Sequence, residues 1–289
     1  MYRVLITGDI HPNGLKKLEQ ERDIEFQFSP DLPYEDVLRI IQPFHCIISR
    51  SETRVNKEMI EAAPELKVIA RAGVGVGNID VEYATERGIL VINTPGKNTN
   101  SAAELTMGLL LSAFRKIVPA HQSMQSLNWD RHRFNGGELL NKCLGIIGLG
   151  NVGHRVARYA KAFDMKVQAF DPYLADEVFE RHGVQKVDWI TLLNTSDVIT
   201  FHVPLNDETR GMISEMEIER MKPGVILLNT ARGGVIDETS LLNALHSGHV
   251  AAAGIDTWEV EPPRDNPCLL YTSDAADDLL CVDLGGRRI

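Results

Sequence analysis

The run Gly148-Leu149-Gly150-Asn151-Val152-Gly153 narrows what this chain can become more than any other feature. Glycine-rich turns are common, so the spacing alone is weak. Here, however, it follows an apolar run, CLGIIG (143–148), and opens an amphipathic stretch over 152–162 that reads as a helix. A second apolar run, KVQAF (166–170), comes next and leads into Asp171. In a strand–turn–helix–strand unit each glycine has a reason. The first makes a tight turn, the second lets a pyrophosphate approach the backbone, and the third lets the helix pack closely on the strand. The helix N-terminus adds free N–H groups and the positive end of a dipole. The pattern predicts a Rossmann unit that binds a dinucleotide. Asp171 lies eighteen residues past Gly153, where a carboxylate hydrogen-bonds the adenosine ribose hydroxyls. Its charge repels a 2′-phosphate, which favours NAD over NADP. Taken alone, Asp171-Pro172 also reads as a strand-ending turn.

The same alternation runs along the whole chain. Residues 4–8, 24–28, 46–50, 67–71 and 89–93 read as strands, separated by helices over 14–21, 34–41, 56–62 and 80–87. Thr94-Pro95-Gly96 breaks the pattern, and 100–124 reads as one long apolar helix crossing into a second series. That series has strands at 143–148, 166–170, 197–202, 225–229 and 250–256. Strands alternating with helices predict an α/β chain with two doubly wound parallel sheets. Domains are expected over 1–97 and 98–267.

Composition excludes several classes. The net charge of -10 repels nucleic acid and anionic membranes, and no basic run offsets it. Residues 1–8 read as a strand and not as a signal peptide. The longest apolar stretch, around 105–111, is too short to span a bilayer. Cysteines at 46, 143, 268 and 281 show neither metal-ligand spacing nor a disulfide framework. No metal is expected, and cytoplasm is the default location.

Three further segments carry a family resemblance. They are Asn93-Thr94-Pro95 leading into Ser101-Ala102-Ala103-Glu104, then Asn229-Thr230-Ala231-Arg232-Gly233-Gly234, and Gly254-Ile255-Asp256-Thr257-Trp258 before Glu261-Pro262. With the glycine loop they resemble the D-isomer-specific 2-hydroxyacid dehydrogenases over essentially all of 1–267. RAGVGVGNID (71–80) and NTPGKNTNSAAELTMG (93–108) are most similar to the branch that acts on 3-phosphoglycerate. Gly77-Asn78 departs from the family, which usually has an acid before the asparagine. The resemblance implies a flavodoxin-like substrate domain, a Rossmann NAD domain, substrate in the cleft between them, and a homodimer formed through the NAD domain. Hydroxypyruvate or glyoxylate reduction is the alternative activity, and an NAD-sensing corepressor is the alternative class.

Site residues follow from the same match. Arg232 stands just past a predicted strand, and its planar fork suits the carboxylate and carbonyl of a 2-oxo acid. Glu261 is expected to orient a catalytic histidine, although EVEPP also reads as a proline-stopped acidic turn. The resemblance places Gly75 and Val76 against the substrate carboxylate through their backbone N–H groups. Arg50, Ser51, Arg54 and Asn98 are candidates for the phosphate and remaining oxygens, with a solvated surface role open for Arg50 and Arg54. Cofactor contacts are implied for Val74, Gly148, Gly150, Asn151, Val152, Gly153, Asp171, Val203, Pro204, Thr230, Ala231 and Asp256. The expected histidine falls on Leu279, and the last histidine in the chain is His249. His202, beside Val203-Pro204, reads as structural.

From Cys268 onward the pattern stops. In one reading frame, 268–277 and 281–289 back-translate to sequences similar to a sequencing-library transposon end and a flow-cell primer. Residues 268–289 are therefore expected to be an adapter-derived tail on a C-terminally truncated chain, with a disordered natural tail as the alternative.

Overall fold

The computed structural model describes residues 1–129, 131–264, 266–269 and 280–282. The chain divides into two compact units, Met1–Asn98 and Thr99–Ile289.

The first unit holds β1 (Tyr2–Ile6), β2 (Ile24–Phe28), β3 (Cys46–Ser49), β4 (Val68–Arg71) and β5 (Leu90–Ile92). Between them run α1 (Pro12–Glu19), α2 (Tyr34–Ile40), α3 (Lys57–Glu61) and α4 (Val81–Glu86). All strands are parallel in the order β2-β1-β3-β4-β5, which is the flavodoxin-like winding. Leu5, Ile47 and Ile69, from three neighbouring strands, meet Val37, Met59 and Ile60 from the helices in one core. Short helices begin where a side chain supplies the missing acceptor. Asn56 takes the N–H of Met59 at 3.1 Å, and Asp80 that of Tyr83 at 3.0 Å.

The second unit opens with α5 (Thr99–Arg115) and α6 (Ile117–Gln125). It continues through β6 (Cys143–Ile147), α7 (Gly153–Ala162), β7 (Lys166–Phe170), α8 (Asp176–His182), β8 (Gln185–Lys186) and α9 (Trp189–Thr195). Then come β9 (Val198–Phe201), α10 (Glu215–Arg220), β10 (Val225–Asn229), α11 (Glu238–His246), β11 (Val250–Ile255) and β12 (Leu280–Val282). The parallel order β12-β11-β10-β9-β6-β7-β8 is the Rossmann winding. Its direction reverses between β6 and β9, which pair directly. Strands buried on both faces explain the unbroken apolar runs, as in VILLN of β10, where every residue is buried.

The single helix expected over 100–124 is two helices. Lys116 adopts the left-handed conformation, φ 50°, and separates α5 from α6. In a continuous helix the Pro119 ring would strike the carbonyl of Arg115, whereas in the first turn of α6 it costs nothing. The freed Phe114 carbonyl accepts the N–H of Gly137 at 2.9 Å.

Of the segment 268–289, Cys268 is buried among Leu241, Trp258 and their neighbours, and Leu280–Val282 pairs in parallel with β11. Leu279 lies outside the described residues. Among the described residues no helix is long and apolar enough to cross a membrane, and no group of three or more His, Cys, Asp or Glu could hold a metal ion.

Two glycines test the account of α5. A methyl group on Gly136 would come within 2.3 Å of the Phe114 carbonyl oxygen, whereas one on Gly108 meets nothing within 4 Å. Gly136→Ala should destabilise the chain by roughly 1–3 kcal/mol. Gly108→Ala, inside a helix, should stabilise it by roughly 0.5–1 kcal/mol. Urea unfolding of both variants measures this, and equal effects would contradict the packing described.

Candidate functional site

In an open α/β sheet ligands collect at the carboxyl ends of the strands, where the winding reverses. Here that point lies between the Gly148 loop after β6 and His202-Val203-Pro204 after β9. Gly148 has φ 89°, and a Cβ on it would fall 2.7 Å from the His202 carbonyl oxygen. Only glycine allows both the turn and the approach of the two loops. A Cβ on Gly153 would lie 2.1 Å from the Gly148 carbonyl oxygen, so α7 rests directly on the loop that precedes it. Space around Gly150 is open, with nothing within 4 Å of its would-be Cβ.

Helix α7 has no side-chain cap. Among the described residues no hydrogen bond uses the N–H groups of Gly150, Asn151, Val152 or Gly153. These are the orphan donors that suit a pyrophosphate. Asp171 follows β7 and accepts two backbone N–H groups, from Leu149 at 3.0 Å on Oδ2 and Tyr173 at 3.0 Å on Oδ1. Each oxygen keeps a further lone pair for a ligand. A cavity of about 400 Å³ opens here, lined by Gly148, Gly150, Asp171, Val203, Pro204 and Met212 among others. Five of the twelve expected cofactor residues, Gly148, Gly150, Asp171, Val203 and Pro204, line this mostly apolar cavity, together with the acids Asp171 and Glu208. These features fit a dinucleotide.

The loop after β9 is knotted by Thr209, whose hydroxyl donates to the Pro204 carbonyl at 2.6 Å and accepts the N–H of Asn206 at 2.9 Å. Tyr173 donates from its hydroxyl to Glu208 beside the cavity. His202 also lines the cavity, and its Nε2 lies 3.1 Å from the Thr200 hydroxyl. Burial lowers its pKa to about 3, so the imidazole stays neutral.

Arg232 leaves the turn after β10 and is half-buried. Its Nη1 donates to the Ala231 carbonyl at 2.6 Å. Thr230, in the same turn, shares a 2.8 Å hydrogen bond with the buried Thr106 of α5. A Cβ on Gly233 would lie 1.9 Å from the Trp258 carbonyl oxygen. Glu261, exposed, turns back to accept the Trp258 N–H at 3.3 Å. The Arg232 turn and the Glu261 loop are therefore in direct contact, joined at Gly233 and Trp258. Asp256, half-buried, follows β11 and donates its N–H to the Asn229 carbonyl at 2.9 Å. His249 precedes β11 at the opposite edge of the sheet, with Nε2 2.8 Å from the Ile218 carbonyl. A strand of this length keeps it about 20 Å from Asp256.

In the first unit, the loop after β4 has its carbonyls tied. Arg71, buried, donates from Nε to Gly75 O at 3.0 Å, and Asn93 donates to Val74 O at 2.7 Å. Among the described residues no hydrogen bond uses the N–H groups of Val74, Gly75 or Val76. Arg50 donates to the Asp9 carbonyl at 3.0 Å, and its stem crosses Gly8. Asn78 donates to the carbonyls of Arg50 and Thr53 at 2.9 and 2.6 Å, bracing that loop. Ser51, Arg54 and Asn98 are exposed. Sequence reasoning missed Arg71, Thr106 and the bracing part of Asn229, because a polar residue inside a strand or helix carries no mark of what it bonds.

Two parallel sheets, one carrying an open glycine loop at its switch point, define a two-unit dinucleotide-dependent protein. Residues 107–275 match the model described as the NAD binding domain of D-isomer specific 2-hydroxyacid dehydrogenases, and the chain belongs to this family. It is 47% identical over 270 residues to D-3-phosphoglycerate dehydrogenase of Methanocaldococcus jannaschii, covering 93% of this chain and 51% of that protein. It is 44% identical over 264 residues to hydroxypyruvate reductase of Thermotoga maritima, covering 91% and 85%. Among solved structures it is similar to D-lactate dehydrogenase of Aquifex aeolicus complexed with NAD and lactic acid, with a TM-score of 0.82 and 28% identity, covering 96% and 87%. The chain thus spans about half the length of the first of these relatives. NAD is the cofactor of the matched domain.

His202 gives the site a pH signature. Its pKa falls from 6.5 to about 3 on folding, so between these values the unfolded chain binds the extra proton. Stability should fall as pH drops through that window. The unfolding midpoint should decline from pH 6.5 to about 5, and decline less in His202→Gln. A native midpoint that stays flat over this range would show that the imidazole is solvated.

Proposed function

We propose that this chain is the catalytic body of an NAD-dependent oxidoreductase of D-2-hydroxy acids, oxidising 3-phosphoglycerate to 3-phosphohydroxypyruvate. The contact between the Arg232 turn and the Glu261 loop carries this reading. It brings the turn that carries Arg232 against the loop that carries Glu261, at the carboxyl end of a dinucleotide sheet. An NAD-sensing binding protein has no need of that pair. The choice of 3-phosphoglycerate rests on the 47% identity to a D-3-phosphoglycerate dehydrogenase. A second reading, reduction of hydroxypyruvate, is favoured by the 44% identity to a hydroxypyruvate reductase of which this chain covers 85%.

NAD, when bound, supplies the hydride acceptor. The N–H groups at the start of α7 would hold its pyrophosphate, Asp171 its adenosine ribose, and Val203 and Pro204 its apolar face. Arg232 would pair in fork geometry with the substrate carboxylate and the oxygen of the reacting carbon. Glu261 would hold and charge-stabilise the group that takes the hydroxyl proton. No histidine follows His249 in this sequence, and His249 is on the wrong edge of the sheet.

Two measurements test this. NADH should bind more tightly than NADPH, and Asp171→Ala should narrow the gap; equal affinities in the unmodified chain would refute the assignment of Asp171. The chain should oxidise 3-phosphoglycerate in preference to D-lactate, at a rate about 10²–10⁴-fold below a chimaera carrying the Methanocaldococcus jannaschii relative's segment in place of 268–289. Matching rates would show that another residue moves the proton. Preference for hydroxypyruvate reduction would establish the second reading.

A further inference from the structure

We propose that Asn229 is a positioning residue for Arg232, aiming its guanidinium through the backbone of Ala231. The proposal rests on the reading that Arg232 holds the substrate carboxylate. Asn229 ends β10 and is 2% exposed. Its carboxamide uses both ends on the turn that follows. Oδ1 accepts the Ala231 N–H at 3.1 Å, and Nδ2 donates to the Arg232 carbonyl at 2.9 Å. The Asn229 backbone carbonyl accepts the Asp256 N–H at 2.9 Å, which ties the turn to the end of β11. The Ala231 carbonyl in turn accepts Arg232 Nη1 at 2.6 Å. Ala231 is thus held on its N–H side by Asn229 and grips the guanidinium on its carbonyl side.

The residue type matters as well as the place. An aspartate could still accept the Ala231 N–H, but it would set a second acceptor against the Arg232 carbonyl. It would also bring a negative charge close to the guanidinium. The carboxamide is the group of this size that is donor at one end and acceptor at the other. Neighbouring pegs leave the turn little other freedom. Thr106 anchors Thr230, and Gly233 lies against the Trp258 carbonyl. A turn fixed at 229, 230 and 233 has its remaining adjustable part at Ala231 and Arg232, and both contacts of the carboxamide fall there.

The test uses the chain as it stands, with oxalate as a planar probe for the carboxylate-binding fork. Calorimetry gives the Kd for NADH, and then the Kd for oxalate with NADH present. Asn229→Asp and Asn229→Ser should each weaken oxalate about tenfold, the equivalent of one hydrogen bond, and leave NADH within about twofold. In an Arg232→Ala background the uncharged change, Asn229→Ser, should have no further effect on oxalate, because the two residues act as one unit. Unchanged oxalate affinity in both single variants would overturn the proposal. So would a parallel loss of NADH in both, which marks a general structural role, or a full additive loss for Asn229→Ser in the Arg232→Ala background. If Arg232→Ala itself leaves oxalate binding intact, the reading of Arg232 fails, and the proposal for Asn229 fails with it. Should Arg232→Ala weaken oxalate while the Asn229 variants do not, only the proposal for Asn229 falls.

Discussion

The second unit depends on one close approach, that of Gly153 to the Gly148 carbonyl at the point where the sheet reverses its winding. No side chain fits there, so α7 packs directly against the loop that precedes it, and its first N–H groups have no partner among the described residues. Helix α7 buries Val156, Ala157 and Ala160 on the sheet, and this packing holds the helix end in place. An anion site built this way needs no charged side chain. It needs a fixed backbone, and close packing is what fixes it. Asp171 adds a second restraint, since its carboxylate ties the middle of the glycine loop to the end of β7.

The turn that carries Arg232 is held by different means. There the backbone is fixed by side-chain hydrogen bonds from Asn229 and Thr106 and by contact with the Trp258 loop. Two strand ends, β10 and β11, are joined through the Asn229 carbonyl. Such a network is costly to leave half-made, because a buried donor or acceptor without a partner loses its hydration for nothing in return. Thr257 shows the contrast, for its hydroxyl is buried with no partner among the described residues.

Much of this was legible in the sequence, for a physical reason. Parallel strands buried on both faces need continuous apolar runs, and VILLN and CLGIIG announce themselves at once. The glycine loop is legible because its geometry excludes every other residue at two of its positions. Less was legible in α5 and α6. Their apolar pattern runs through Lys116 unbroken, and Pro119 was the one mark of the break. Nor could the sequence show which groups Arg71, Thr106 and Asn229 bond, because hydrogen-bond partners far apart in the chain leave no periodic trace. Thr106 and Thr230 are 124 residues apart.

That pair also has a direction. A hydroxyl carries a single proton, and the Thr106 hydroxyl donates its own to the Ala102 carbonyl at 2.8 Å. Both hydrogen bonds form together only when Thr106 offers Thr230 a lone pair and the proton between them is that of Thr230. In that arrangement the Thr230 oxygen is left with lone pairs alone, so it can receive a proton from whatever meets it but has none to give. A hydrogen bond inside a helix, more than a hundred residues earlier in the chain, thus biases the polarity of one atom in the turn that presents Arg232.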